Sequence, residues 1–449
     1  MPDPIPPFPG LPSNTPPPSP EPGLTFLNDL GMACSDPDAS GPVSSASGIR
    51  LFSIWEICRY ILPVAVGHLR RVLRENPHLP QGETNSDGRA KRFTLNEIDV
   101  LRHWFAANGK QRKPYRPYRP ANAPARTVTF AQMLQGAGKT TICAHLAMAA
   151  ALEGYRVLLI DLDGQADLSH RFLAPADTDA LTAQTLLARH CADHLQAANR
   201  NRLTRGDQPL SMPEMLTDAR RIDPAELIRS TRWPGIDIIP AGPGLCAVDA
   251  VMAEWESVAR GWPSWEALRV ALGERTLANG YDLIFVDTPS TLGPLALAGI
   301  TAADILLVPT TATPIGTTMT GRFLGLLQTL LRDIENRQNI AARALGEAET
   351  RFSWKAIRLV INRYDDARQA QAGAALSARL GPVLMPHKLS ETALAATKPR
   401  AGIYEVDYRE VGREAWVRAR SDFDAVYTDF KQILIDLWDE ERLPENSAL

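Results

Sequence analysis

Gly136-Ala137-Gly138-Lys139-Thr140-Thr141 lies between an apolar β-type run, Val128 to Met133, and a helix-type run, Ile142 to Leu152. A strand, a glycine turn and Lys-Thr opening a helix is the layout of a nucleotide phosphate cradle. Glycines let backbone N–H groups approach phosphate, and the helix N-terminus adds its dipole. In that layout Lys139 reaches the β- and γ-phosphates and Thr140 holds Mg²⁺. A GKTT core alone occurs by chance. Its weight comes from two acidic strand ends further along the chain.

Val157-Leu-Leu-Ile-Asp161-Leu-Asp163 puts two carboxylates at the end of one apolar run, and Leu283-Ile-Phe-Val-Asp287 puts a third at the end of another. Open α/β sheets bind ligands at the carboxyl ends of their strands. Carboxylates grouped there beside a phosphate loop can hold Mg²⁺ waters and orient an attacking water. A single such aspartate could merely cap the next helix; three beside one loop argue for a site.

From about residue 124 onward, β-type runs alternate with helical spacing. The runs are Thr127–Met133, Tyr155–Asp161, Ile236–Pro240, Tyr281–Asp287, Ile305–Pro309, Ile357–Ile361 and Gly381–Met385. Continuous apolar strands between helices imply a doubly wound, mostly parallel α/β sheet. The polar stretch Ala174–Arg232 reads as a helical insertion.

The flanks differ. Residues 1–22 hold eleven prolines, so 1–48 reads as a disordered tail. Residues 50–120 carry 14 Lys/Arg against 6 Asp/Glu on a chain whose net charge is −3. A basic module on an acidic body points to an anionic partner, most simply nucleic acid. Within 49–108, Ser53–Tyr60 has helical spacing with Ile54, Ile57 and Ile61 on one face, and Pro63 interrupts it. Val66–Arg74 restarts a helix with His68, Arg70, Arg71 and Arg74 outward. Helix, turn and basic helix form a helix-turn-helix, with those four residues as candidate DNA contacts. An ordinary helical hairpin with solvated arginines fits the same pattern. Thr94 with Glu97 makes a capping box for a third helix. Residues 109–123 form a basic Pro/Tyr linker, able to stack on bases or to act as a stiff tether.

Five scattered cysteines without a CxxC argue against disulfides, zinc and iron–sulfur centres, and fit a reducing cytosol. No apolar run approaches the ~20 residues of a membrane span, and no signal peptide is read.

RVLLIDLDGQADLS at 156–169 resembles a motif of ParA-type partition ATPases, and YDLIFVDTPSTLG at 281–293 resembles their YDxxxxDxPP segment. VINRYDD at 360–366 and MPHKLSETALA at 385–395 are similar to their later nucleotide-base motifs. RFTLNEIDVLR at 92–102, followed by KQRKPYRPYRP, is similar to the long ParA and RepA forms that bear a helix-turn-helix. The resemblance covers roughly residues 50–435, with the ATPase domain at 124–440 and a short tail at 441–449. It implies an ATP- and Mg²⁺-dependent homodimer, cytoplasmic and nucleoid-associated, in DNA segregation. It also implies operator and non-specific DNA binding, repression of its own operon, and a ParB-like centromere-binding partner. Carried over by residue, Gly136, Gly138, Lys139, Thr140 and Thr141 cradle the nucleotide. Thr140, Asp161 and Asp287 serve the Mg²⁺, Asp163 positions the attacking water, and Asn362 and Pro386 lie by the adenine. A membrane-cycling relative would need a basic amphipathic C-terminal helix, whereas Asp436-Leu-Trp-Asp-Glu-Glu-Arg is acidic.

The phosphate loop and the DPQ motif depart from the family's pattern. Its loop reads KGGxGKT, whereas this chain has Leu134 for the signature lysine and Gln135 for the first glycine. Its DPQ reads Asp163-Gly164-Gln165. Loss of a phosphate-directed charge predicts a weak ATPase. The alternative is a DNA-binding repressor whose degenerate site binds nucleotide and barely hydrolyses it.

Overall fold

The computed structural model describes residues 50–84, 91–109, 115–173, 181–274, 277, 280–346, 349–391 and 402–442. The expected tail at 1–48 lies outside them, as do parts of the 109–123 linker, the 385–395 segment and the 441–449 tail.

The chain opens with a short strand, β1 (Phe52–Ser53), and one α-turn, α1 (Ile54–Glu56), that widens into a π-turn over Ile57–Ile61. A continuous helix was the expectation. The wide turn instead sets Trp55 and Tyr60 edge to face at 5.6 Å, with both rings also packed on Trp416. Helix α2 (Val66–Glu75) buries Leu69, Val72 and Leu73 and leaves His68, Arg70, Arg71 and Arg74 exposed. Two strands follow, β2 (Glu83–Thr84) and β3 (Lys91–Phe93), and β3 pairs with both β1 and β2. Helix, turn, helix and hairpin together make a winged arrangement, and the hairpin was not legible in so short and polar a sequence. Helix α3 (Leu95–Asn108) starts at the Thr94–Glu97 capping box, with both reciprocal hydrogen bonds present.

The main sheet begins with β4 (Arg126–Phe130), which feeds the glycine loop and α4 (Lys139–Glu153). Next come β5 (Val157–Asp161), α5 (Asp167–Phe172), and the insertion helices α6 (Ala183–Thr204) and α7 (Glu214–Arg221). A two-residue edge strand, β6 (Arg229–Ser230), precedes β7 (Ile236–Ile239) and helices α8 (Val248–Val258) and α9 (Ala267–Leu272). Then follow β8 (Leu283–Asp287), α10 (Pro294–Thr301), β9 (Ile305–Thr310) and the long α11 (Pro314–Leu345). Strand β10 (Ala356–Ile361), α12 (Asp366–Leu380), α13 (Tyr408–Val411) and α14 (Arg413–Arg442) complete the chain.

Strand order is β10-β9-β4-β8-β5-β7-β6, parallel throughout except for β6. This is the mixed, mostly parallel sheet that the alternating pattern predicts. The expected strand at Gly381–Met385 does not form. Gly381 breaks the backbone at φ +52°, Pro382 has no N–H, and a 3₁₀ turn takes Gly381–Val383. What remains is a single bridge, Leu359 to Leu384, and the Met385 N–H donating to the Leu359 carbonyl at 2.8 Å.

One hydrophobic cluster runs from the winged module into the sheet. It includes Phe52, Leu69, Phe93 and Phe105, then Phe130, Leu146 and Phe285, then Trp416, Phe430 and Trp438 of α14. Arg413 and Arg420 lie over Trp55 and Tyr60 at 4.2 and 4.0 Å, and Arg92 pairs with Asp407 at 2.7 Å. The linker is pinned too. Tyr115 stacks on Phe105, the Tyr118 carbonyl accepts from the Tyr155 hydroxyl at 2.8 Å, and Arg119 pairs with Asp282. No helix among the described residues is long and apolar enough to cross a membrane.

Trp416 is fully buried where the module meets α14. Trp416→Ala should lower stability by about 3–5 kcal/mol, the usual cost of emptying such a site. Urea unfolding followed by circular dichroism measures it, and a loss below about 1 kcal/mol would show that the aromatic contact contributes little.

Candidate functional site

The carboxyl ends of β4, β5, β8 and β10 bring the sequence-selected residues to one rim. Gly136 and Gly138 take φ values of +71° and +100°, angles that glycine reaches without steric cost. Gln135 is not among the described non-glycine residues with positive φ, which are Asn122, Ala166 and Arg363. The loop therefore turns without needing a glycine at 135. Buried Gln132 fixes its start, donating to the Pro309 carbonyl at 3.0 Å and to Thr320 at 2.9 Å.

Lys139 opens α4 and donates through Nζ to Ser290 Oγ at 2.6 Å. Burial lowers its pKa, against the opposing pull of Asp287 and Asp163. The Thr140 hydroxyl donates to Asp287 Oδ2 at 2.6 Å. Asp161 and Asp287 are register partners on neighbouring strands, and both are fully buried. Burial pushes Asp161 up to about 7, although Ser169 donates to its Oδ2 through N–H and hydroxyl at 2.9 and 2.7 Å. Burial and the nearby Asp161 push Asp287 well up as well. Asp287 Oδ1 is buried without a hydrogen-bond partner. Hard oxygen donors, an orphaned carboxylate oxygen and a neighbouring threonine hydroxyl suit Mg²⁺. Thr140, Asp287 and Asp161 are the residues that would hold it.

Asp163 is half-buried on the loop after β5, its N–H donating to Asp161 and its carboxylate accepting from the Gln165 N–H. The residue between them explains one departure. A Cβ on Gly164 would stand 2.5 Å from Cys246 Sγ and 2.7 Å from the Cys246 nitrogen. The Pro243–Ala247 turn crosses so closely that no larger residue fits. At the other end of the loop, the Asn362 side chain donates to the Ala137 carbonyl at 2.8 Å. Pro386 is exposed on the segment whose flanking Met385 and His387 N–H groups bond Leu359 and Asp429. Thr141 offers its carbonyl to His145. The four candidate DNA contacts form a separate exposed row on α2, where Arg71 bonds His68 at 3.1 Å.

Sequence reasoning missed Ser290, Ser169 and His145. Ser290 stands in DTPS where the resembled motif has a second proline, which was the one available signal. His145 is buried on α4, with Nδ1–H donating to the Thr141 carbonyl at 2.6 Å and Nε2 accepting from the Ile403 N–H at 3.0 Å. The Tyr404 carbonyl, one residue on, accepts from Arg50 beside the winged module.

Residues 125–340 match a family described as an AAA domain. The chain is 28% identical over 408 residues to a putative replication protein A of Rhizobium rhizogenes, covering 88% of this chain and 90% of that one. It is 30% identical over 247 residues to a probable plasmid-partitioning protein ParA of Thermus thermophilus, covering 54% and 59%. A solved partition protein shares the fold at TM-score 0.54 and 20% identity, over 87% of this chain and 98% of its own. By these matches the chain is similar to plasmid partition proteins of the ParA type.

Burial, and then the charge of Arg171, lower the His145 pKa to about 3 from an ordinary 6.5. The unfolded chain therefore takes up this proton first as pH falls. The stability that neutral His145 contributes is full above about 6.5 and is lost progressively toward 3, by up to ~1.4 kcal/mol per pH unit. Urea midpoints at pH 7.5 and 5.5 should fall further in the wild type than in His145→Gln. Equal falls would remove His145 from the acid response.

Proposed function

We propose that the chain binds ATP or ADP with Mg²⁺ at this rim, hydrolyses ATP slowly, and serves DNA partition as a homodimer in the cytoplasm, on the nucleoid. The observation that carries the nucleotide reading is Thr140 bonded to Asp287, whose second oxygen is buried and unpaired beside Lys139. Mg²⁺, when bound, neutralises charge on the phosphate oxygens. Lys139 gives up its hydrogen bond to Ser290 and turns its ammonium to phosphate. The glycine loop and the α4 N-terminus donate backbone N–H groups. Asp163, the least buried of the three carboxylates, accepts a proton from the attacking water. The plasmid-partitioning and replication relatives support the partition role, and a ParB-like protein is the expected stimulating partner.

The exposed basic face of α2 supports duplex DNA binding by the winged module, both to operator DNA, repressing the chain's own operon, and non-specifically. A second reading rests on Leu134, half-buried where the resembled loop has a lysine. In it the chain is a repressor for which nucleotide is only a regulatory ligand. ATP turnover stimulated by DNA and partner separates the two.

Lys139→Ala should abolish ATP binding in calorimetry, whereas Asp163→Ala should keep it and lose turnover. Equal loss of affinity in both would contradict the assignment. Arg70→Ala with Arg71→Ala should weaken duplex binding by the full chain tenfold or more at low salt, and flatten its dependence on log salt by about one to two. Unchanged gel shifts would remove α2 as the DNA face.

A further inference from the structure

Arg363 holds an uncommon backbone angle for a side chain that large. It follows β10 at φ +52°, in the left-handed region. The chain is pinned on both sides of it. The Asn362 N–H donates to the Thr310 carbonyl at 2.8 Å, and the Tyr364 N–H donates to the Leu389 carbonyl at 2.9 Å. The turn has to be made at 363, and glycine would make it without strain. An arginine stands there instead. Strain of this kind, when observed, points toward function.

The side chain's position gives the function a location. Its Nη1 lies 3.8 Å from where a Cβ on Gly136 would stand, so the guanidinium sits against the phosphate loop. Next to it, the Asn362 amide ties the same strand end to Ala137 of that loop. Arg363 is exposed, and among the described residues it has no hydrogen bond or ion pair. A free guanidinium poised over the turn of an anion-binding loop matches a phosphate better than it matches anything present. The loop itself lacks a cation at 134, so Lys139 is its own single charge.

We propose that Arg363 is a nucleotide-binding residue that contacts the phosphates of the nucleotide held in its own chain's loop, supplying from β10 a charge the loop lacks at Leu134. The inference rests on the nucleotide reading of the site. It assigns the missing cation to the chain's own β10.

The test is calorimetric titration of the full chain with Mg-ATP and Mg-ADP, using wild type, Arg363→Gln, Arg363→Lys and Lys139→Ala. Arg363→Gln should weaken both nucleotides about tenfold and flatten the salt dependence of Kd, while Arg363→Lys should recover part of the loss. Arg363→Gly, which relieves the backbone, should raise the thermal midpoint of the nucleotide-free chain while losing the same affinity. Wild-type affinity in Arg363→Gln, with Lys139→Ala binding abolished, overturns the proposal and leaves the nucleotide reading standing. An affinity loss with unchanged salt dependence and no lysine recovery overturns it in favour of stacking on the base. Full ATP binding by Lys139→Ala overturns the nucleotide reading and this proposal together.

Discussion

The hydrogen bond from Arg102 to the Leu152 carbonyl, 2.6 Å long, closes the C-terminal end of a helix that has almost no exposed side chain. That helix, α4, begins with Lys139 and Thr140 and lies between the parallel sheet and α14. Its Ala-rich face permits the close approach, and its C-terminal carbonyls then have no water to bond. Arg102, from α3, supplies donors and positive charge where the helix dipole is negative. Gly154 follows at φ +104°, and a Cβ there would stand 2.9 Å from Arg102 Nε. The winged module is thus part of what completes the phosphate-loop helix. This is why its hydrophobic residues join the sheet's core instead of forming one of their own.

The price of the site is visible at the other end of this helix, beside its first turn. Asp161 and Asp287 sit side by side in full burial, and an unpaired buried oxygen such as Asp287 Oδ1 costs about 1–3 kcal/mol. Ser169 and Thr140 offset part of this without neutralising either carboxylate. A structural pair would be expected to have a cation built beside each oxygen. Here one carboxylate oxygen, Asp287 Oδ1, is left unpaired beside the Thr140 hydroxyl's partner Oδ2.

The parallel strands were legible because buried parallel strands are apolar on both faces, most plainly in β5 (VLLID), β8 (LIFVD) and β9 (ILLVPT); β4 (RTVTF) was legible by its place before the glycine loop. Edge strand β6 is two polar residues, and β1, β2 and β3 are two or three residues each. Periodicity has no purchase on segments that short. At the site, the loop and the strand-end aspartates were legible because their spacing is local. Ser290 lies 151 residues from Lys139, and Ile403 lies 258 from His145, so these pairings exist only once the sheet is assembled. The same holds for the linker. Its sequence suggested base stacking or a stiff tether, but Tyr155 and Asp282, which engage Tyr118 and Arg119, are far along the chain.

The departures from the family's pattern have separate physical origins. Gly164 is enforced by Cys246, which leaves no room for a proline ring. Gln135 is permitted, since the turn places its positive φ angles at Gly136 and Gly138 instead. Neither change disturbs the path of the loop backbone. Leu134 is different, because the lysine it replaces acts through charge and not through backbone shape. A loop can keep its geometry and still lose a cation, and attraction for phosphate then has to come from elsewhere in the chain. A charge brought from β10 could restore attraction for phosphate, but from another direction, on the side of the loop held by Asn362. Transition-state charge is stabilised only by donors aimed at where it develops. Leu134 thus removes charge without moving the loop, and Arg363 stands where charge approaches that loop from β10.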